Sequence, residues 1–280
     1  MFTTPSQDWI ALLHRLADRA DGIAMRHFQA PALSVTRKAD GSPVTTADLE
    51  IEREVEALLR QSAPELGILG EEYGERPGSS AARLLIDPID ATLNFMRGDP
   101  VFATLLAIES QGEVIAGLVS APALPGRWWA ARGSGAWRDG RPIRASSCDE
   151  LAACRLFCGT PVDAAVRARY PGLDALLQST RPNRECGDFL QHLRVAEGHG
   201  EIAIDLEVSP WDIAALQVIV EEAGGVATAT DGRRTLHHGT LVTSNGCVHD
   251  RVLALLGRTT LHGRASTPHP CVASPLRGAP

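Results

Sequence analysis

A chain of 280 residues with 44% hydrophobic and 22% charged side chains has the make-up of an ordinary globular protein and enough length for a substantial core. Its formal charge of −7, with no stripe of Lys and Arg, argues against non-specific nucleic-acid binding. No apolar run approaches a membrane span and no secretory signal is visible at the N-terminus, so no membrane partner and a cytoplasmic location are expected.

In chain order, Trp9, Leu12, Leu13, Leu16 and Ile23 recur at helical spacing and predict an amphipathic first helix. Residues 38–44 are turn-rich. Thr45 or Thr46 then caps a second helix carrying Leu49, Val55, Leu58 and Leu59, which Pro64 closes. Short apolar runs at 66–69 and 84–86 predict buried strands that each end at an acidic residue, with 73–80 as a polar loop between them. From 101 to 137 three strand-like runs separated by QG, PALPG and GSG turns predict an antiparallel meander.

Residues 184–188 lead into a helix through Leu190, Leu193 and Val195; 201–206 reads as a strand and 212–222 as a helix closed by Gly224-Gly225. A strand at 241–243 and a helix at 250–256 complete one folded domain, 1–258. Residues 259–280, rich in Pro, Gly and Ser, are expected to be a disordered tail. Strands and helices mix without strict βαβ alternation, so the fold class is layered α/β or α+β. The six cysteines form no CxxC pair and read as reduced packing residues. On the adjacent Trp128 and Trp129, strand alternation sends one ring to the core and the other the opposite way, toward a possible dimer interface. His237-His238 read as surface residues.

Three distant acidic segments carry the chemistry: Gly70-Glu71-Glu72, Asp87-Pro88-Ile89-Asp90-Ala91-Thr92, and Trp211-Asp212. Each sets a carboxylate where an apolar run gives way to a turn or a helix start. Oxygen-rich sets of this kind suit hard cations such as Mg²⁺, and the chemistry they invite is metal-assisted hydrolysis of a phosphate ester. Pro88 fixes φ, so Asp87 and Asp90 flank a stiff turn. Thr92 follows near a helix start, whose free N–H groups suit a phosphate. Any one of these acids also reads as a helix cap or a solvated loop residue. What favours a site is that unrelated strand and helix ends all finish in acids.

The segments GEE, DPIDATLNF and WDIAA resemble the signature motifs of the inositol monophosphatase superfamily, over about 38–256. The resemblance implies a five-layered α-β-α-β-α fold and a phosphomonoesterase using two or three Mg²⁺ ions. Matched position by position, Glu71, Asp87 and the carbonyl of Ile89 would hold the first ion, and Asp87, Asp90 and Asp212 the second. Asp48 matches an aspartate that supports Thr92 and a water. Glu71 and Thr92 would orient the attacking water, while Asp90, Ala91, Thr92 and Asp212 would meet the substrate. The resemblance also implies a homodimer, for which the strand segment 127–137 is the expected surface, and a lid formed by the loop that carries Lys38 and Asp40.

Within the superfamily, the stretches FMRGDPVFATLLA, GLVSAPALPGRWWAARGSGAW, RECGDF and VAEG resemble the histidinol-phosphatase branch. That likeness implies L-histidinol phosphate as substrate, with Asp188 and Asp205 available to its ammonium. Two departures stand out: Ala91 where the superfamily usually has Gly, and Leu93 where the branch commonly has Lys. If position 91 needs a positive φ, alanine is the wrong residue for it. The alternatives are an inositol-phosphate, sugar-phosphate or nucleotide monophosphatase, and, in a different class, a pseudo-enzyme that only binds a phosphate ligand.

Overall fold

The computed structural model describes residues 6–30, 33–38, 41–159, 164–183 and 187–257. Helices α1 (Ser6–His27) and α2 (Thr46–Ser62) flank a short hairpin of β1 (Val35–Arg37) and β2 (Pro43–Thr45). Ala47, Ile51, Val55 and Leu59 recur every four residues, so α2 buries one stripe. Leu13, Leu16, Ala20 and Ile23 give α1 the same stripe, and the two pack together on one face of an eight-stranded sheet.

That sheet contains β3 (Gly67–Gly70), β4 (Gly74–Arg76), β5 (Ala82–Asp90), β6 (Ala103–Ser110), β7 (Glu113–Ala121), β8 (Gly126–Ala131), β9 (Ala136–Arg138) and β10 (Arg141–Ile143). Its spatial order is β10-β9-β8-β7-β6-β5-β3-β4, with β3 parallel to β5 and every other pair antiparallel. The predicted three-strand meander is present as β6, β7 and β8, and the structure continues it through β9 and β10. At its first turn Gln111 and Gly112 have φ of 55° and 80°, the backbone that a two-residue hairpin needs. The segment 73–80 is not wholly loop, because β4 pairs with β3 at the sheet edge.

The strand expected at 84–86 runs on to Asp90, so Asp87 and Asp90 lie in β5 and not on a turn beyond it. The pairing with β6 shifts register between these two residues. That bulge accommodates Pro88, which cannot donate to a regular ladder, and it turns the end of the strand out of register. Thr104 Oγ1 donates to the Pro88 carbonyl at 2.7 Å and pins it. Helix α3 (Thr92–Arg97) follows directly.

The second sheet has order β12-β11-β13-β15-β14, from β11 (Arg155–Phe157), β12 (Arg181–Asn183), β13 (Ile202–Asp205), β14 (Val226–Thr228) and β15 (Leu241–Ser244). The remaining helices are α4 (Ala164–Arg169), α5 (Leu173–Ser179), α6 (Asp188–Ala196), α7 (Pro210–Glu222) and α8 (His249–Leu255). Helices α6 and α7 fill the space between the sheets. Residues 213–220 of α7 are all buried, as a helix covered on every side requires. Leu173, Leu176, Val252 and Leu253 of α5 and α8 cover the outer face of the small sheet through Leu156, Ile202 and Ile204. The layers therefore run α-β-α-β-α.

Trp128 faces the middle layer, where its Nε1 donates to Glu197 at 2.8 Å. Trp129 takes the opposite face and meets the His14 ring of α1 edge-on at 4.8 Å, so it is partly covered within its own chain. Cys148 and Cys154 are free thiols. Among the described residues no helix is long and apolar enough to cross a membrane. The expected tail, 259–280, lies outside the described residues, as do Asp40, Cys186 and Cys271.

Candidate active site

The ends of β3, β5 and β13 and the first turns of α3, α6 and α7 meet at a cavity of ≈ 390 Å³. Glu71, Asp87, Ile89, Asp90, Ala91, Thr92, Asp188, Asp205 and Asp212 all line it. Of the predicted site residues only Asp48 does not. Glu207 also lines the cavity and was not anticipated; its place two residues after Asp205 is the signal that pointed to it.

Glu71 leaves β3 with its N–H donating to the Ile86 carbonyl at 3.3 Å. The turn that presents it is held from below by a residue the sequence reading missed. Glu52 of α2 is buried, and its carboxylate accepts the N–H groups of Glu72 at 2.8 Å and Tyr73 at 3.0 Å. Gly70 makes room for it, since a Cβ there would sit 1.9 Å from Glu52 Oε1. The sequence signal was a glutamate adjoining the apolar stripe of α2, which by itself looks like a solvated helix residue. Lys38 Nζ lies 2.7 Å from Glu71 Oε1 and 2.8 Å from Glu72 Oε1. Burial works against its charge, but the bonds to these two carboxylates raise its pKa above the usual lysine value.

Asp87 is buried and its Oδ1 has no hydrogen-bond partner. Burial first, then the charges of Glu71, Asp90, Asp212 and Asp48, push its pKa well up. Asp90 is raised in the same way, by burial and by Asp188, Asp212 and Asp205, although its Oδ2 accepts the Phe189 N–H at 2.9 Å. That bond ties β5 to the first turn of α6.

Asp212 is the third residue of α7 and completes a capping box with Ser209, whose N–H it accepts at 2.7 Å. Burial pushes its pKa up to about 7. Asp48 holds the same place in α2, accepting from Thr45 N at 2.8 Å and Thr45 Oγ1 at 2.5 Å, and burial lifts it to about 7 as well. A capping role and a site role are therefore compatible, because only Oδ2 is committed to the cap. Asp48 makes no direct hydrogen bond to Thr92. The Thr92 hydroxyl donates instead to the Ile89 carbonyl at 3.0 Å.

Ala91 has φ 66° and ψ 46°, so the departure from glycine falls on a left-handed position. Asp188 also has a positive φ, 50°, and opens α6 facing the cavity. Burial and the nearby Asp205 raise its pKa. Asp205 ends β13, and its Oδ2 lies 2.9 Å from His192 Nε2.

Among the described residues no three acidic, His or Cys side chains already converge on one metal position, and Lys38 lies on Glu71. The donor set nevertheless fits a hard divalent cation. Asp87 keeps an orphaned buried oxygen, and burial first, and then the surrounding carboxylates, drive the pKa of Asp87, Asp90 and Asp212 upward, a strain that a cation would relieve.

Comparison with known proteins gives the same answer as the geometry. The chain is 43% identical to a histidinol-phosphatase of Mycobacterium tuberculosis over 259 residues, covering 90% of this chain and 98% of that one. It is 37% identical to a histidinol-phosphatase of Streptomyces coelicolor, covering 90% and 97%. Among solved structures, an inositol monophosphatase of Thermotoga maritima superposes with a TM-score of 0.80 at 31% identity, covering 89% of this chain and 96% of that one. An extragenic suppressor protein of Bartonella henselae gives 0.83 at 27%, covering 90% and 100%. The model of the inositol monophosphatase family matches residues 6–260, and this chain belongs to that family of phosphate-monoester hydrolases.

Proposed function

We propose that the protein is a Mg²⁺-dependent phosphatase that hydrolyses L-histidinol phosphate to L-histidinol and phosphate, in the biosynthesis of histidine. The observation that carries the substrate is the extra acidity of the cavity wall. Beyond the carboxylates suited to a metal, Asp188, Asp205 and Glu207 line the same cavity, which suits a phosphate ester bearing a cationic amine. The identity to two histidinol-phosphatases supports the same reading.

In this reading Glu71, Asp87 and the Ile89 carbonyl hold one ion, and Asp87, Asp90 and Asp212 another. Bound there, Mg²⁺ would polarise the phosphoryl oxygens, acidify water and stabilise the leaving oxygen. The chain's own groups do the rest. Glu71 and the Thr92 hydroxyl orient the attacking water, and the Glu71 carboxylate takes up its proton. The backbone N–H groups of Ala91 and Thr92 face the phosphate at the start of α3. Asp48 keeps the first turn of α2 rigid behind the site through Thr45. Asp188 and Asp205 receive the ammonium, which orients the ester for in-line displacement. A homodimer in the cytoplasm is the assembly and location we assign.

The test is phosphate release with Mg²⁺ from L-histidinol phosphate, inositol 1-phosphate, AMP and a sugar phosphate at equal concentration. A preference for histidinol phosphate of about a hundredfold in kcat/KM, roughly 2.7 kcal/mol of discrimination, is expected. A flat profile or preference for another ester refutes the substrate.

A further inference from the structure

His192 lies on α6, fully buried, against β13 and β15. Its Nε2 is 2.9 Å from Asp205 Oδ2, and its Nδ1 is 2.8 Å from the Oγ1 of Thr243, itself buried on β15. An ionised carboxylate only accepts, so Nε2 carries the hydrogen in this contact. In the tautomer with Nε2–H alone, the Thr243 hydroxyl donates to Nδ1. One Asp205 oxygen is committed to the ring, and the other is left for the cavity that Asp205 lines.

The neighbouring residue braces the same wall. Gln191, also fully buried, accepts the Gly159 N–H at 3.2 Å through Oε1 and donates to the Ile204 carbonyl at 3.4 Å through Nε2. Helix α6 thus holds β13 at Ile204 and at Asp205 itself. A long ring clamped at both nitrogens inside a packed layer has one orientation, and it passes that orientation to the carboxylate.

We propose that His192 is a positioning residue for substrate selection: the Thr243–His192 pair fixes the Asp205 carboxylate so that its free oxygen meets the polar, cationic part of the ester. This rests on the reading that Asp205 faces the substrate's ammonium. It assigns His192 no contact with the reacting phosphate, so its loss should weaken recognition and leave the chemical step intact.

The experiment compares wild type with His192→Met, which fills the space without an N–H, and His192→Gln, which keeps an amide donor at similar reach. Two esters are used with Mg²⁺: L-histidinol phosphate, and phenyl phosphate, which has no polar group to offer Asp205. His192→Met should raise KM for histidinol phosphate about tenfold, with kcat within about threefold and phenyl phosphate kinetics unchanged. His192→Gln should recover most of that loss, and His192→Met added to Asp205→Asn should cost nothing further. Equal losses on both esters, no loss, or full additivity with Asp205→Asn overturns the proposal.

A wild-type enzyme with no preference between the esters sinks the substrate reading. The positioning claim is then decided separately by ¹⁵N NMR of the wild-type His192 ring. A neutral ring protonated at Nε2, with that proton protected from exchange, supports it. An Nδ1–H tautomer overturns it whatever the ester preferred.

Discussion

Ala91→Gly tests whether the left-handed turn at the mouth of α3 is strained but functional. At φ 66°, ψ 46° an alanine costs about 1–2 kcal/mol relative to a relaxed backbone. Glycine removes that strain but loosens the unfolded chain, which takes back roughly 0.4–1 kcal/mol. The half-buried methyl, packed against the first core, contributes about 0.4 kcal/mol more, half the value of a fully buried methylene. The balance runs from about −0.4 to about 1.2 kcal/mol in favour of glycine, a change in Tm between about −2 and +5 °C for a domain of this size. Calorimetry of both proteins with Mg²⁺ reads it directly. Because Ala91 already holds the left-handed backbone, the N–H groups beyond it keep their directions, and kcat should change by less than about threefold. A fall in Tm of more than about 2 °C refutes the strain argument. A gain in turnover above about thirtyfold would mean that the methyl obstructs the phosphate, and would favour the pseudo-enzyme, a protein that binds its ligand without turning it over.

Three further outcomes are expected. Asp87→Asn should lower kcat at least about 10³-fold in saturating Mg²⁺ with the fold intact by circular dichroism; retained turnover would remove Asp87 from the metal set. Gly70→Ala should drive the Glu52 carboxylate from its place and loosen the Glu71 turn, raising the Mg²⁺ concentration for half-activity at least about fivefold, whereas a response equal to wild type would show that Glu52 does not hold that turn. In metal-free protein, Asp48 and Asp212 titrate near pH 7 when folded against 3.8 unfolded, so the folded state holds the extra protons between those values. Stability should therefore fall as pH rises from about 4 to 7, by up to about 4 kcal/mol for Asp48 alone, and Mg²⁺ should restore it at the upper end of that range. A Tm that rises over that range without metal would refute the burial argument.

What was legible in the sequence followed the strength of local patterning. The stripes of α1 and α2, the β6–β8 meander with its Gln111-Gly112 turn, and α7 each carry enough residues in period to be read alone. Strands β11, β12 and β14 have three residues each and draw their stability from neighbours far off in the chain, so no window shows them. The end of β5 was misplaced because Pro88 reads as a strand breaker. Only the bulge opposite β6 lets it remain in the ladder. Glu71, Asp87, Asp90 and Asp212 were visible because each sits where an apolar run gives way to a turn or a helix start, whereas Asp188 and Asp205 came from the family resemblance and Glu207 was missed. Glu52, Gln191 and His192 were not visible, since a buried polar residue on a helix is distinguished from a solvated one only by partners that the fold brings to it.

Asp48 and Asp212 each spend one oxygen on starting a helix. Mutational drift at either position is then exposed to selection twice, once through the lost helix start and once through the charge that it brings to the site. An asparagine keeps the capping acceptor while removing the charge. Inactive but well-folded descendants of this chain should therefore carry Asn at 48 or 212 more often than Ala, and a relative with Asn at both would be recognisable as one that has left catalysis while remaining in the fold.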